Sequence, residues 1–155
     1  MRESAAVAPH FLGDAWAEAV RIAVDAGPDA AVRRHKIDTY WNWVEYVRAN
    51  YGRSWALGVQ DRPGRAEPRF LVLDWRRGQC TDAAITSLAA AQRADYILCA
   101  TYQHWRALAA GGDPARAIMY RNFLLHKGNV LEFFRSLYFF TESLGCIART
   151  PAAFD

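Results

Sequence analysis

Cysteine is scarce in this chain: Cys80, Cys99 and Cys146, with no Cys-x-x-Cys pair. An odd count without paired spacing argues against a disulfide framework or a cysteine-rich zinc site and predicts reduced thiols. Histidine is equally sparse. His10, His35, His104 and His126 show neither His-x-x-x-His nor His-x-His spacing, so no metal site is expected. No apolar run approaches the ~18 residues of a membrane span. Met1 to His10 lacks the apolar stretch of a secretion signal, and the final Ala-Ala-Phe-Asp is no peroxisomal address. A cytoplasmic protein without integral membrane association is expected. A phosphate-cradling glycine loop, a dinucleotide fingerprint and a nucleophile elbow are missing as well, so no cofactor is expected.

What is present fits a single globular domain. The 155 residues are 52% hydrophobic and 23% charged, which separates the chain from disordered compositions. A domain of this size buries roughly 68–70% of its unfolded surface and needs neither metal nor disulfide to fold. Aromatics reach 14%, with six Trp, more than a core of this size requires. The surplus points to an interface or a ligand cavity. The net charge of +3 sits in short clusters, Arg33-Arg34-His35-Lys36 and Arg76-Arg77, each near acids. These read as solvated faces, and no nucleic-acid partner is expected. Abundant Ala and Arg are compatible with a GC-rich bacterial genome.

The spacing of apolar residues predicts the elements. A helix is expected over 13–26, with Trp16, Val20, Ile22 and Ala23 on one face and Gly27-Pro28 as its stop. A second covers 36–50 with an unusually wide apolar face, and a strand remains an alternative for part of it. Strands follow at 54–60, 69–75 and 79–85, joined by turns at Asp61-Arg-Pro-Gly64 and Arg76-Arg77-Gly78, as an antiparallel meander. A short connector at 87–94 leads to a continuous apolar strand, Tyr96 to Ala100. Thr101 and Asp113 are helix N-caps, the latter with Pro114 at the first helical position. A strand at 123–126 stops at Gly128-Asn129. One last helix spans 130–144, with Leu131, Phe134, Leu137, Tyr138 and Thr141 in a stripe and Phe133 and Phe140 beside it. Segregated strands and helices give an α+β domain with a single, mainly antiparallel sheet. Residues 1–10 are expected to be a flexible N-terminus, 11–150 the domain and 151–155 a tail.

The run Ala94-Asp95-Tyr96-Ile97-Leu98-Cys99-Ala100-Thr101, then Trp105, resembles the strand and Trp-bearing helix of the sterol carrier protein 2 family. Leu108, Gly111-Gly112-Asp113-Pro114 and Ala117-Ile118 continue the likeness, as do Phe123 to Asn129 and the opening Phe11-Leu12-Gly13-Asp14-Ala15-Trp16. The resemblance covers about residues 94–145, with weaker support from 11–25 and 54–85. It implies a sheet of about five strands covered by helices, an apolar tunnel between the two layers, and non-covalent binding of fatty acyl chains, sterols or similar molecules. The family has no fixed catalytic motif to carry over.

Candidate ligand-contacting residues are Trp41, Trp43, Trp105, Met119, Leu131, Phe134 and Tyr138, because apolar ligands are held mainly by area removed from water. The last helix is apolar on nearly all sides and must be covered on nearly all sides. Core packing, a tunnel wall, a homodimer seam and a docking face for a partner enzyme all satisfy that demand. Residues 28–50 are rich in Trp, Tyr and charge. They raise the alternative of an isomerase, hydratase or cyclase using Asp38, Tyr40, Glu45 and His104 as acid–base groups. That alternative requires the four to converge on one cavity. Binding of a hydrophobic small molecule, rather than turnover, is the first expectation.

Overall fold

The computed structural model describes residues 7–61 and 67–154. The expected turn at 61–64 lies mostly outside them, as do residues 1–6 and 155.

Among the described residues, eight helices and five strands follow in chain order. Helix α1 (Asp14–Ala26) buries Trp16, Ala17, Val20 and Val24, while Ile22 turns outward. Its backbone ends at Gly27, whose φ of 77° is a conformation that favours glycine. A short helix that the sequence reading did not anticipate, α2 (Ala30–Arg33), starts where the Asp29 side chain accepts from the Val32 N–H. Helix α3 (Asp38–Ala49) buries only Trp41 and Val44, so its wide apolar face is largely exposed.

Strands β1 (Ser54–Val59), β2 (Arg69–Arg76) and β3 (Gln79–Ser87) form the expected antiparallel meander. Helix α4 (Leu88–Ala91) then leads to β4 (Tyr96–Ala100), which pairs with β1 in parallel. β4 is buried along its whole length, which explains its unbroken apolar run. Helices α5 (Tyr102–Ala109) and α6 (Pro114–Met119) carry the anticipated caps from Thr101 and Asp113. Strand β5 (Leu124–Lys127) completes the sheet in the order β3-β2-β1-β4-β5. Three of its four pairings are antiparallel, which makes it a mixed, mainly antiparallel sheet.

The single last helix expected over 130–144 is two: α7 (Val130–Arg135) and α8 (Leu137–Arg149). Between them the Ser136 hydroxyl donates to the carbonyls of Glu132 and Phe133, satisfying orphaned groups at the end of α7.

The core lies on one face of the sheet. Trp55, Leu57, Leu71, Leu73, Trp75 and Leu98 project from the strands into α8, which buries every residue from Phe139 to Ile147. Rings dominate this layer. Trp55 packs within 5.0–5.6 Å of Trp75, Phe139 and Phe140. The opposite sheet face carries a smaller cluster of Ala56, Phe70, Ala91, Ala94, Ile97 and Cys99. There the Phe70 ring lies over its cross-strand partner Gly58, in space a Cβ would need. At the chain's two ends, Phe11 donates to Ala153 and Ala153 to Pro9, and the rings of Phe11 and Phe154 stack at 4.5 Å.

Candidate functional site

The turn after α6 opens a groove. α6 closes on Asn122 and Phe123, whose N–H groups both reach back to the Ala117 carbonyl. Arg121 takes a left-handed conformation at φ 62° to make that turn. β5 then runs to Gly128, and Asn129 caps α7 by accepting from the Glu132 N–H at 3.0 Å. Gly128 sits at φ 125° with the Tyr96 ring where a side chain would go, so this corner admits only glycine.

Between α6, β5 and α7 lies an open, mostly apolar groove of about 480 Å³. That volume falls within the ~300–1,000 Å³ of small-molecule sites. Phe123 and Phe133 are buried at its floor. Ile118, Leu125 and Leu137 are half-buried in its walls, and Met119, Leu124, Val130 and Phe134 stand exposed at its rim. Arg121 is the one charged residue lining it among the described residues.

The seven candidate ligand residues do not form one group. Met119 and Phe134 line the groove, 75% and 59% exposed. Leu131 is 76% exposed on α7 and does not line it. Trp105 belongs to the core, its indole N–H donating to the Gly58 carbonyl at 3.0 Å. Trp41 is buried with its N–H on the Arg33 carbonyl at 2.8 Å. Trp43 stacks on Tyr46 at 5.5 Å on the exposed side of α3. Tyr138 leans on Tyr40, ring centroids 4.9 Å apart. Of the expected stripe, Leu131, Phe134 and Tyr138 face outward, Leu137 is half-buried and Thr141 is buried, while Phe133, Phe139 and Phe140 face the core.

The four acid–base candidates do not converge. Asp38 is exposed in the first turn of α3, and Glu45 is paired at the surface with Arg33 at 2.9 Å. His35 and Asp38 form no ion pair among the described residues. His104 lies on α5, its Nδ1 buried without a hydrogen-bond partner among the described residues. Tyr40 alone joins a buried polar cluster. Its hydroxyl lies 2.6 Å from Glu142 Oε1, and Lys36 Nζ lies 2.5 Å from the same atom. Burial, then the bond to Glu142, raises the Tyr40 pKa and keeps the phenol protonated. Glu142 was missed from the sequence, although it is the one charged residue between Leu137 and Ala148, and an acid inside an apolar helix is the sign of a buried partner.

Among the described residues no three His, Cys, Asp or Glu side chains gather as metal ligands, and no helix is long and apolar enough to cross a membrane. All three cysteines are free and buried.

No family model matches the chain, and no curated protein does. Solved structures do. A crystal structure of sterol carrier protein 2 superposes with a TM-score of 0.69 at 21% identity, covering 91% of this chain and 99% of that one. The solution structure of a conserved hypothetical protein of Thermus thermophilus, for which a sterol carrier identity is suggested, superposes with a TM-score of 0.69 at 19% identity, covering 98% and 97%. The chain therefore has the sterol carrier protein 2 fold.

Proposed function

We propose that this protein binds one hydrophobic small molecule non-covalently and carries it, with the α6–β5–α7 groove as the ligand's point of entry. A fatty acyl chain, a sterol or a polycyclic lipid-like compound fits that chemistry. The reading is carried by the groove itself: apolar walls, a floor of two buried rings and a rim of exposed Met119 and Phe134. Area removed from water supplies the affinity, at ~25 cal/mol per Å². The fold supports the reading, since a structural neighbour bears the sterol carrier name. Phe133 connects the groove to the interior, because its ring also meets Phe140 at 5.1 Å and Tyr96 at 5.9 Å.

Titration of the delipidated protein with a fluorescent acyl probe tests this, together with native mass spectrometry of the protein as purified. Saturable uptake of one probe per chain, displaced by unlabelled fatty acid, is the expected result. Absence of uptake together with only the apo mass overturns it.

A further inference from the structure

Seven of the thirteen large hydrophobic side chains exposed among the described residues fall between Met119 and Tyr138. Exposed apolar residues scattered singly need no explanation, but a concentration of this kind marks a contact surface. Met119, Leu124, Val130 and Phe134 surround the groove, and Leu131 continues the patch along α7. The same stretch is strongly one-signed. From Pro114 to Tyr138 it carries Arg116, Arg121, Lys127 and Arg135 against a single acid, Glu132. That acid is already taken up by Arg53, at 2.8 Å. The segment's excess of three positive charges equals that of the whole chain, so the remainder is balanced.

We propose that the α6–β5–α7 face docks on an anionic lipid bilayer, with Leu131 and Phe134 entering the headgroup layer and Arg116 and Arg135 on lipid phosphates. Exposed apolar side chains together with the excess of arginine and lysine in the same segment favour this occupant. Long arginine stems reach from an apolar contact to headgroup phosphates. Leu131 and Arg135 stand four residues apart on one face of α7, so insertion of the first brings the second to the phosphates. A second copy is disfavoured, because a two-fold contact through this patch would set like charges against each other. Docking here would bring the groove mouth to the lipid phase, and in that respect the inference rests on the carrier reading above.

The test is co-sedimentation of the full chain with vesicles of phosphatidylcholine alone and of phosphatidylcholine with phosphatidylglycerol, without added probe. Binding is expected only to the anionic vesicles and is expected to weaken with salt. Arg116→Gln and Arg135→Gln each lower vesicle affinity about fivefold, and Leu131→Ser lowers it about tenfold. None of the three lines the groove, so acyl-probe uptake in solution stays at the wild-type level and also reports that the variants are folded. Equal binding to both vesicle types, no binding to either, or insensitivity to all three substitutions overturns the proposal. So does a concentration-dependent dimer that Leu131→Ser abolishes without any vesicle binding. Vesicle docking by a protein that takes up no probe leaves this proposal standing and sinks the carrier reading, while probe uptake without docking does the reverse.

Discussion

The Tyr40 hydroxyl donates to the buried carboxylate of Glu142 across 2.6 Å, fastening α3 to α8. Glu142 is 5% exposed, and its other partner, Lys36, covers it from the solvent side with its ammonium 4.6 Å above the Tyr40 ring. α3 buries only Trp41 and Val44, and its other polar anchor is Arg48, which donates to the carbonyls of Gly78 and Asp25. Tyr40→Phe removes one donor from a buried charge and is expected to cost about 1.5–3 kcal/mol in urea unfolding. Lys36→Met strips the same carboxylate of its cation. The double variant should fall short of the sum of the two, which a double-mutant cycle reads directly.

Alkaline pH should destabilise the protein. Burial pushes the Tyr51 phenol up to about 12 from an ordinary value of 10.0, and Tyr40 and Tyr96 are also raised chiefly by burial. A group that holds its proton more tightly in the folded state contributes stability in full below its unfolded pKa. That contribution drains away as the pH climbs toward the folded value. Urea midpoints should therefore fall from about pH 10 upward, and Tyr51→Phe should flatten the slope while lowering stability at neutral pH.

The thiols should be silent in the native state. Burial raises the pKa of Cys80, Cys99 and Cys146, that of Cys80 to about 12 with Asp25 adding to the shift. The thiolate is the reactive form, so a disulfide reagent should label none of them at neutral pH until denaturant is added. Rapid labelling of the native protein would show a structure more open than the one described.

Phe133 and Phe134 are neighbours with opposite duties. Phe133 is 6% exposed and packs on Tyr96 and Phe140. Phe133→Ala should cost about 3–5 kcal/mol of stability. Phe134→Ala should leave the urea midpoint almost unchanged and weaken acyl-probe binding about tenfold. Equal effects of the two on stability, or none of Phe134→Ala on the probe, would contradict the assignment of the groove.

Gly128 should tolerate no replacement. A Cβ there enters the Tyr96 ring, and the φ of 125° is itself strained for any side chain. Gly128→Ala is expected to lower Tm by about 10 °C in a thermal melt and to reduce probe uptake, because this turn sets α7 against β5.

The strands and capped helices were legible because each has a local signature. Tyr96 to Ala100 is apolar throughout since it is covered on both faces, and Thr101 and Asp113 announce the helices they cap. Residues 130–149 were less so. With Phe at 133, 134, 139 and 140, periodicity names a helix but cannot choose its inner face. Ser136 breaks the run and shifts its phase, and only tertiary packing assigns Phe133 inward and Phe134 outward. The expected acid–base group failed for a related reason. Tyr40 sits on the side of α3 opposite Asp38 and Glu45, and the group that does meet Tyr40 lies 102 residues further along the chain.

Pro9 and Phe11 exchange hydrogen bonds with Ala153 while Phe11 stacks on Phe154, so the chain is clasped like a bracelet. Neither segment owns its own order. If one lifts away, the other loses its backbone partner and its stacking ring in the same event. Local opening of the two segments therefore becomes a single event. The amide protons of Phe11 and Ala153 should accordingly exchange at a common rate, although they stand far apart in the sequence.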